Sequence, residues 1–374
     1  MKRERKSNME LLRIFAMLCI ILHHIVRHGI YMNLSEDLLI NTTFLQAMFF
    51  GGKFGVIIFI LLSGYFLINQ EFKFSKFTRL ILQYLFYNVI FLFIATKFNI
   101  IKFDYKLLIT AVFPLTGFCW FANAYILLYI FFPFLNKLIK SLKKTEIEIF
   151  ILLGGVIWFL FPTIALLFNI QMKMEFSNAI LFVYIYSIGA YINLFYSNRN
   201  FKCAGKIALI SYFGYVILQV LCYRYGDYWT ISKSVHLNSN PYFLAQQSSV
   251  IILLTSITVF LYFKSTSINK NIFINRVSST VFGVYLIHDN DCFRRFIWNV
   301  LLDVKFHYTQ PYFILYVICL ALTILSVCSV IDYFRYMILE KGLFEKYEES
   351  LDQFFCFHKN KLLKSADCWD YFFN

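Results

Sequence analysis

Arg13 and His24 lie in one apolar stretch of membrane length, residues 9–28. Ionisable groups in such a stretch mark a functional site by default. Their spacing, 13 to 24, is about three helical turns, so on a helix they share a face roughly 16 Å apart along the axis. Histidine, with an ordinary pKa of about 6.5, can take a proton from a weak nucleophile and return it, and its imidazole can also carry a transferred group. Arginine offers a fixed cation. Glu10 stands three residues before Arg13, at ion-pair spacing. Burying such groups in hydrocarbon is costly, so this helix is expected to line a site, with His24, Arg13 and Glu10 as catalytic candidates. His23 points about 100° away from His24 and reads as structural.

A second polar cluster comes late in the chain, in STVFGVYLIHDNDCFRRFIW, which carries His288, Asp289, Asn290, Asp291, Arg294 and Arg295. On one continuous helix His288, Asp291 and Arg295 share a face, and Asp291 has ion-pair spacing to Arg295. Counting along each helix from Met9 and Ser278 places His24 about 22 Å deep and His288 about 15 Å deep, so the two could meet in the same half of the bilayer. His288 is therefore a further catalytic candidate or a bundle hydrogen bond, and Asp291 a substrate-binding candidate. In GVIIFILLSGYFLINQ, Gly51 and Gly55 have the small-x-x-x-small spacing of close helix approach, and Ser63 and Tyr65 end the segment. Ser63 reads more readily as packing than as a nucleophile. Lys76 and Arg79, in EFKFSKFTR, could grip phosphates or serve only as topology charges. Trp120 and Asn123 begin a segment at a membrane interface, and Pro133 is expected to kink or end it.

The elements that must hold these groups are membrane helices. Hydrophobic residues make up 60% of the 374, charged residues only 15%, and mean hydropathy is +0.64, which excludes an ordinary soluble domain. Apolar stretches near 9–28, 46–68, 77–96, 118–136, 147–168, 177–196, 205–222, 246–263, 278–298 and 312–338 predict about ten spans. The expected fold is all-α, a polytopic integral membrane helical bundle. Domain boundaries are set at 8–338 for the bundle and 339–374 for a tail able to form a surface helix.

Placing MKRERKS in the cytoplasm puts 17 lysines and arginines in cytoplasmic segments, Lys2 and Arg3 among them, and eight in the opposite ones, among them Lys173 and Lys233. This agrees with the positive-inside rule and returns the carboxyl terminus to the cytoplasm. The net charge of +14 thus serves topology and anionic-lipid contact, and no nucleic-acid partner is expected. No cleavable signal is apparent, so the first helix is expected to remain. The nine cysteines show no C-x-x-C spacing, and neither a disulfide framework nor a metal site is expected. Asn41-Thr42-Thr43 reads as an incidental sequon.

From about residue 8 to 338 the sequence resembles the bacterial acyltransferase family type three. The resemblance rests on the Arg13-to-His24 pair, which fits an R/K-x(10)-H signature, on the ELLRIFAMLCIILHH context, on FILLSGYFL, on CWFANAYILLYIFFPFL and on VYLIH, in that order. It implies a ten-span enzyme of the bacterial plasma membrane that takes an acyl group, commonly acetyl, from cytosolic acyl-CoA. It delivers that group to a sugar hydroxyl of a cell-surface polysaccharide or its lipid-linked precursor. No permanently bound cofactor is implied, acyl-CoA being a co-substrate. His24 would be the essential histidine and Arg13 its basic partner on the donor path. The family's basic element after the second span reads Lys76-x-x-Arg79 here, which keeps charge but replaces one guanidinium fork. The competing readings are a transporter or flippase of lipid-linked saccharides and a polysaccharide polymerase. The sequence shows neither the internal symmetry of the first nor the long arginine-rich outer loop of the second.

Overall fold

The computed structural model describes residues 5–30, 38–114, 118–170, 178–226, 230–232, 235–245, 249–344 and 347–356. Lys2, Arg3, Lys173 and Lys233 of the charge count, and the tail beyond 356, lie outside these residues.

Among the described residues, eight helices are long and apolar enough to cross a membrane: α1 (Ser7–Ile30), α2 (Leu39–Leu67), α3 (Phe74–Lys97), α4 (Trp120–Ser141), α5 (Lys144–Leu167), α6 (Asn178–Tyr196), α7 (Ala204–Tyr225) and, after two shorter ones, α10 (Phe313–Lys341). The shorter pair, α8 (Val250–Ser265) and α9 (Ile272–His288), stand where the eighth and ninth spans are expected. A small antiparallel ribbon pairs Thr230–Ser232 with Val235–His236. Large apolar side chains face outward on helix after helix, including Phe93, Phe134, Ile210, Leu254 and Leu315. Polar groups meanwhile turn inward, among them Glu10, Gln83, Asn88, His288, Asp289 and Asp332. That inversion of the soluble pattern is what a hydrocarbon solvent selects, because an unpaired polar group costs several kcal/mol there. The molecule is a multi-pass helical membrane bundle.

Helix α2 is the hub: 78% of its most apolar window is buried, against 22% in each of α5 and α7. Glycines let it sit so deep. A Cβ on Gly51 would lie 2.2 Å from the Cys19 carbonyl oxygen, and one on Gly55 would lie 2.7 Å from that of Ala16. Backbones of α1 and α2 therefore touch along the expected small-x-x-x-small stripe. On its other side Gly64 meets Tyr186, and Gly189 of α6 returns the approach toward Leu61.

Two sequence expectations change. Pro133 does not end α4, which is helical to Ser141. The ninth helix does not continue to 298: it ends at His288, because the short polar side chains that follow capture local backbone groups. Asn290 Oδ1 accepts the Cys292 N–H at 3.1 Å, an Asx turn that competes with the helical ladder. Asp291 consequently pairs with Arg294, at 2.8 Å, and not with Arg295, which is exposed.

The bundle has two distinct ends. At one, Ser7 accepts the Asn271 N–H and donates to Asn275, Lys264 donates to the Arg199 carbonyl, and Asp352 caps Ser75 at the start of α3. At the other lie His24, Phe49, Trp120, Tyr242 and Asp289 around one cavity.

Candidate active site

His24 closes the α-helical part of α1, and from Ile25 to Ile30 the helix widens into a π turn. Such insertions gather at functional sites, since the extra residue re-aims side chains. Here the His28 ring comes to 5.3 Å from that of His24. Helix α9 brings His288 to the same point as its last residue, and the end of the helix delivers Asp289 as its cap. The expectation that His24 and His288 meet is realised: His24 Nδ1 and His288 Nε2 are 2.9 Å apart, with both residues buried.

The hydrogen bonds fix which nitrogen carries each proton. His288 Nδ1 lies 2.6 Å from the Val284 carbonyl oxygen, which can only accept, so Nδ1 holds the proton. In the neutral ring Nε2 must then accept, and His24 Nδ1 donates to it. His24 Nε2 is left with its lone pair, 3.7 Å from Asp289 Oδ2. A backbone carbonyl, one histidine and a second histidine thus form a relay that sets the tautomer of the last.

Asp289 is buried and surrounded by cationic or proton-bearing groups. Arg294 Nε reaches Oδ1 at 2.8 Å, and His28 Nε2 lies 3.4 Å from the same oxygen. Arg294 also donates to the Asp289 carbonyl oxygen and pairs with Asp291, so the carboxylate is clamped in place. His24, His28 and Asp289 bring three ligand-type atoms within 4.8 Å of one another. The guanidinium 2.8 Å from that carboxylate already supplies its counter-charge and disfavours a dication at the same spot.

These groups face a cavity of about 630 Å³ that also has Arg27, Lys53, Trp120, Phe121, Tyr242 and Tyr285 among its lining. His23 lines it too, with Nδ1 donating to the Phe49 carbonyl at 2.7 Å, the structural role expected of it. Trp120 presents its ring to the cavity, while Asn123 binds the Phe118 carbonyl one turn deeper and is not among the lining residues. Asp291 holds the opening of α4, accepting the N–H of Cys119, a residue at φ 53 in the left-handed region that such an anchor helps to keep.

The other expected residues gather toward the Ser7 end. Glu10 takes the Arg13 guanidinium at 2.8 Å, the predicted pair, and also accepts from Ser278 of α9. Ser63 bonds the Phe59 carbonyl one turn back, as packing serines do. Tyr65 is buried and lines a second cavity, of about 450 Å³, with Arg5, Lys6, Lys264 and Lys270. Lys76 is exposed at the start of α3, whereas Arg79 lies 3.2 Å from Glu340 and 3.7 Å from Glu348.

His28, Asp289, Arg294 and Lys53 are the groups that sequence reasoning underweighted. His28 stands four residues after His24, and Lys53 is a lone charge inside AMFFGGKFGVIIFILL, the signal that singles out Arg13. Asp289 and Arg294 stand out as polar, but one continuous helix points them away from His24.

The polar relay at one end of a helical membrane bundle is a candidate active site, suited by its histidines to proton transfer. The sequence model of acyltransferase family 3, described as an acyltransferase domain, matches residues 6–332, and the chain belongs to that family. Comparison with curated proteins and with solved structures gave no match.

Proposed function

We propose that this acyltransferase moves an acyl group, acetyl above all, from acyl-CoA to a sugar hydroxyl of a cell-surface polysaccharide or its lipid-linked precursor. The observation that carries the reading is the Val284–His288–His24 hydrogen-bond chain, which leaves a lone pair on His24 Nε2 beside a cavity of about 630 Å³ with Trp120 in its lining. The acceptor O–H gives its proton to Nε2 as its oxygen attacks the acyl carbonyl carbon. Asp289 stabilises the imidazolium that forms, as a buried carboxylate does beside a general base. The C–S bond of the donor then breaks, and the departing thiolate takes the proton from His24.

The donor belongs at the opposite end in this reading. Among the described residues four cationic side chains and no carboxylate line the cavity at Ser7, a setting suited to the phosphates of CoA. Arg13 and Glu10 lie between that cavity and His24 on α1, which supports their place on the donor path. Lys76 and Arg79 would join only after the acidic tail segment moves off them. By the charge count the Ser7 end faces the cytoplasm of a bacterial plasma membrane.

The test is NMR of the surface glycan from a strain lacking this chain. O-acyl signals should vanish while the amount of glycan stays the same. Reduced glycan with its O-acyl groups intact would instead support the flippase reading and overturn this one.

A further inference from the structure

Lys53 is a cation in the His24 cavity that the acyl-transfer reading leaves without a task. It sits on α2, the most enclosed helix, held in register by Gly52 against His23 and by Gly55 against α1. Its Nζ lies 4.8 Å over the Trp120 ring, and it makes no hydrogen bond or ion pair among the described residues. Among the described residues the lining includes Arg27, Lys53 and Arg294 but one carboxylate, Asp289, which Arg294 already holds at 2.8 Å. A partly buried lysine with no carboxylate paired to it among the described residues gains from an incoming group that supplies the counter-charge.

Resting on the acyl-transfer reading, we infer that the acceptor is an anionic saccharide whose negative group pairs with Lys53 while a sugar ring packs near Trp120. The fixed backbone beneath Lys53 sets where that anion sits relative to His24 Nε2. It therefore selects which hydroxyl meets the base. The anion has two chemical sources, a carboxylate on the sugar, as in a uronic acid, or the diphosphate of a lipid-linked precursor.

The test uses purified full-length protein in lipid nanodiscs, acetyl-CoA, and two matched acceptor pairs. One pair is a glucuronate-containing oligosaccharide and its glucose counterpart. The other is a neutral oligosaccharide on a lipid diphosphate and the same oligosaccharide free. The wild-type chain should prefer the charged member of one pair by about tenfold to 100-fold in kcat/KM, the range of a charge-assisted hydrogen bond. Which pair responds names the source. Lys53→Gln should abolish that preference mainly through KM, and Lys53→Arg should restore it. A wild-type preference that survives in Lys53→Gln, or a wild type indifferent to charge in both pairs, overturns this inference alone. A wild type that acylates none of the four overturns the acyl-transfer reading with it.

Discussion

The lone pair on His24 Nε2 exists because of a carbonyl oxygen one turn before His288. Val284 fixes the His288 proton, His288 fixes that of His24, and the base is ready before substrate arrives. Replacing His288 with asparagine should keep the bundle folded but free His24 to adopt either tautomer. We expect kcat to fall about 10-fold to 100-fold, as for other orienting partners, while KM for acyl-CoA stays the same; a steady-state assay in nanodiscs measures both. Asp289→Asn keeps the shape of the side chain and removes the charge that stabilises the imidazolium. Its expected loss in kcat is about 100-fold or more, and a variant as fast as wild type would deny the carboxylate that role. At this scale the sequence revealed His24, Arg13 and Glu10 because each is a charge where hydrocarbon should be. Asp289 escaped because its placement depends on a helix end that three adjacent polar residues create, a tertiary consequence invisible to periodicity.

Helices α1 and α9 carry the relay, and α1 is braced by α2 in a contact that is backbone on backbone. Gly55→Leu must push the Ala16 carbonyl aside, so it should destabilise the folded protein by about 1–3 kcal/mol, seen as a lower thermal midpoint in detergent. Gly214, where a Cβ would meet nothing within 4 Å, is the control, and Gly214→Ala should leave the midpoint unchanged or slightly raised. The segment after α10 behaves as an element as well. Residues 347–356 are helical; Asp352 accepts the Ser75 N–H at 2.8 Å, and Phe355 stacks on Phe74 at 5.0 Å. Asp352→Asn weakens that cap by about 1 kcal/mol, and faster proteolysis of the tail would report it. The tail's alternating charges suggest a surface helix from sequence alone, but not where it docks, because its partners lie some 277 residues away.

For the whole molecule, the two ends define a direction. Composition and apolar run length gave the helical membrane class directly, since no other architecture satisfies the backbone in hydrocarbon. The position of the ninth helix end required the structure. Orientation makes a prediction of its own: Cys203 is exposed at the Ser7 end, and Tyr105 is exposed near the other end, just beyond α3. A membrane-impermeant maleimide should label Tyr105→Cys in intact cells and Cys203 only after permeabilisation. The reverse pattern would turn the donor and acceptor ends around.

The central claim is that His24 is the base for acyl transfer in this bundle. Its most direct test is transfer of labelled acetyl from acetyl-CoA to saccharide by purified wild-type and His24→Ala protein in equal, folded amounts. Transfer should fall by about 100-fold to 10,000-fold in the variant. Transfer at the wild-type rate would contradict it.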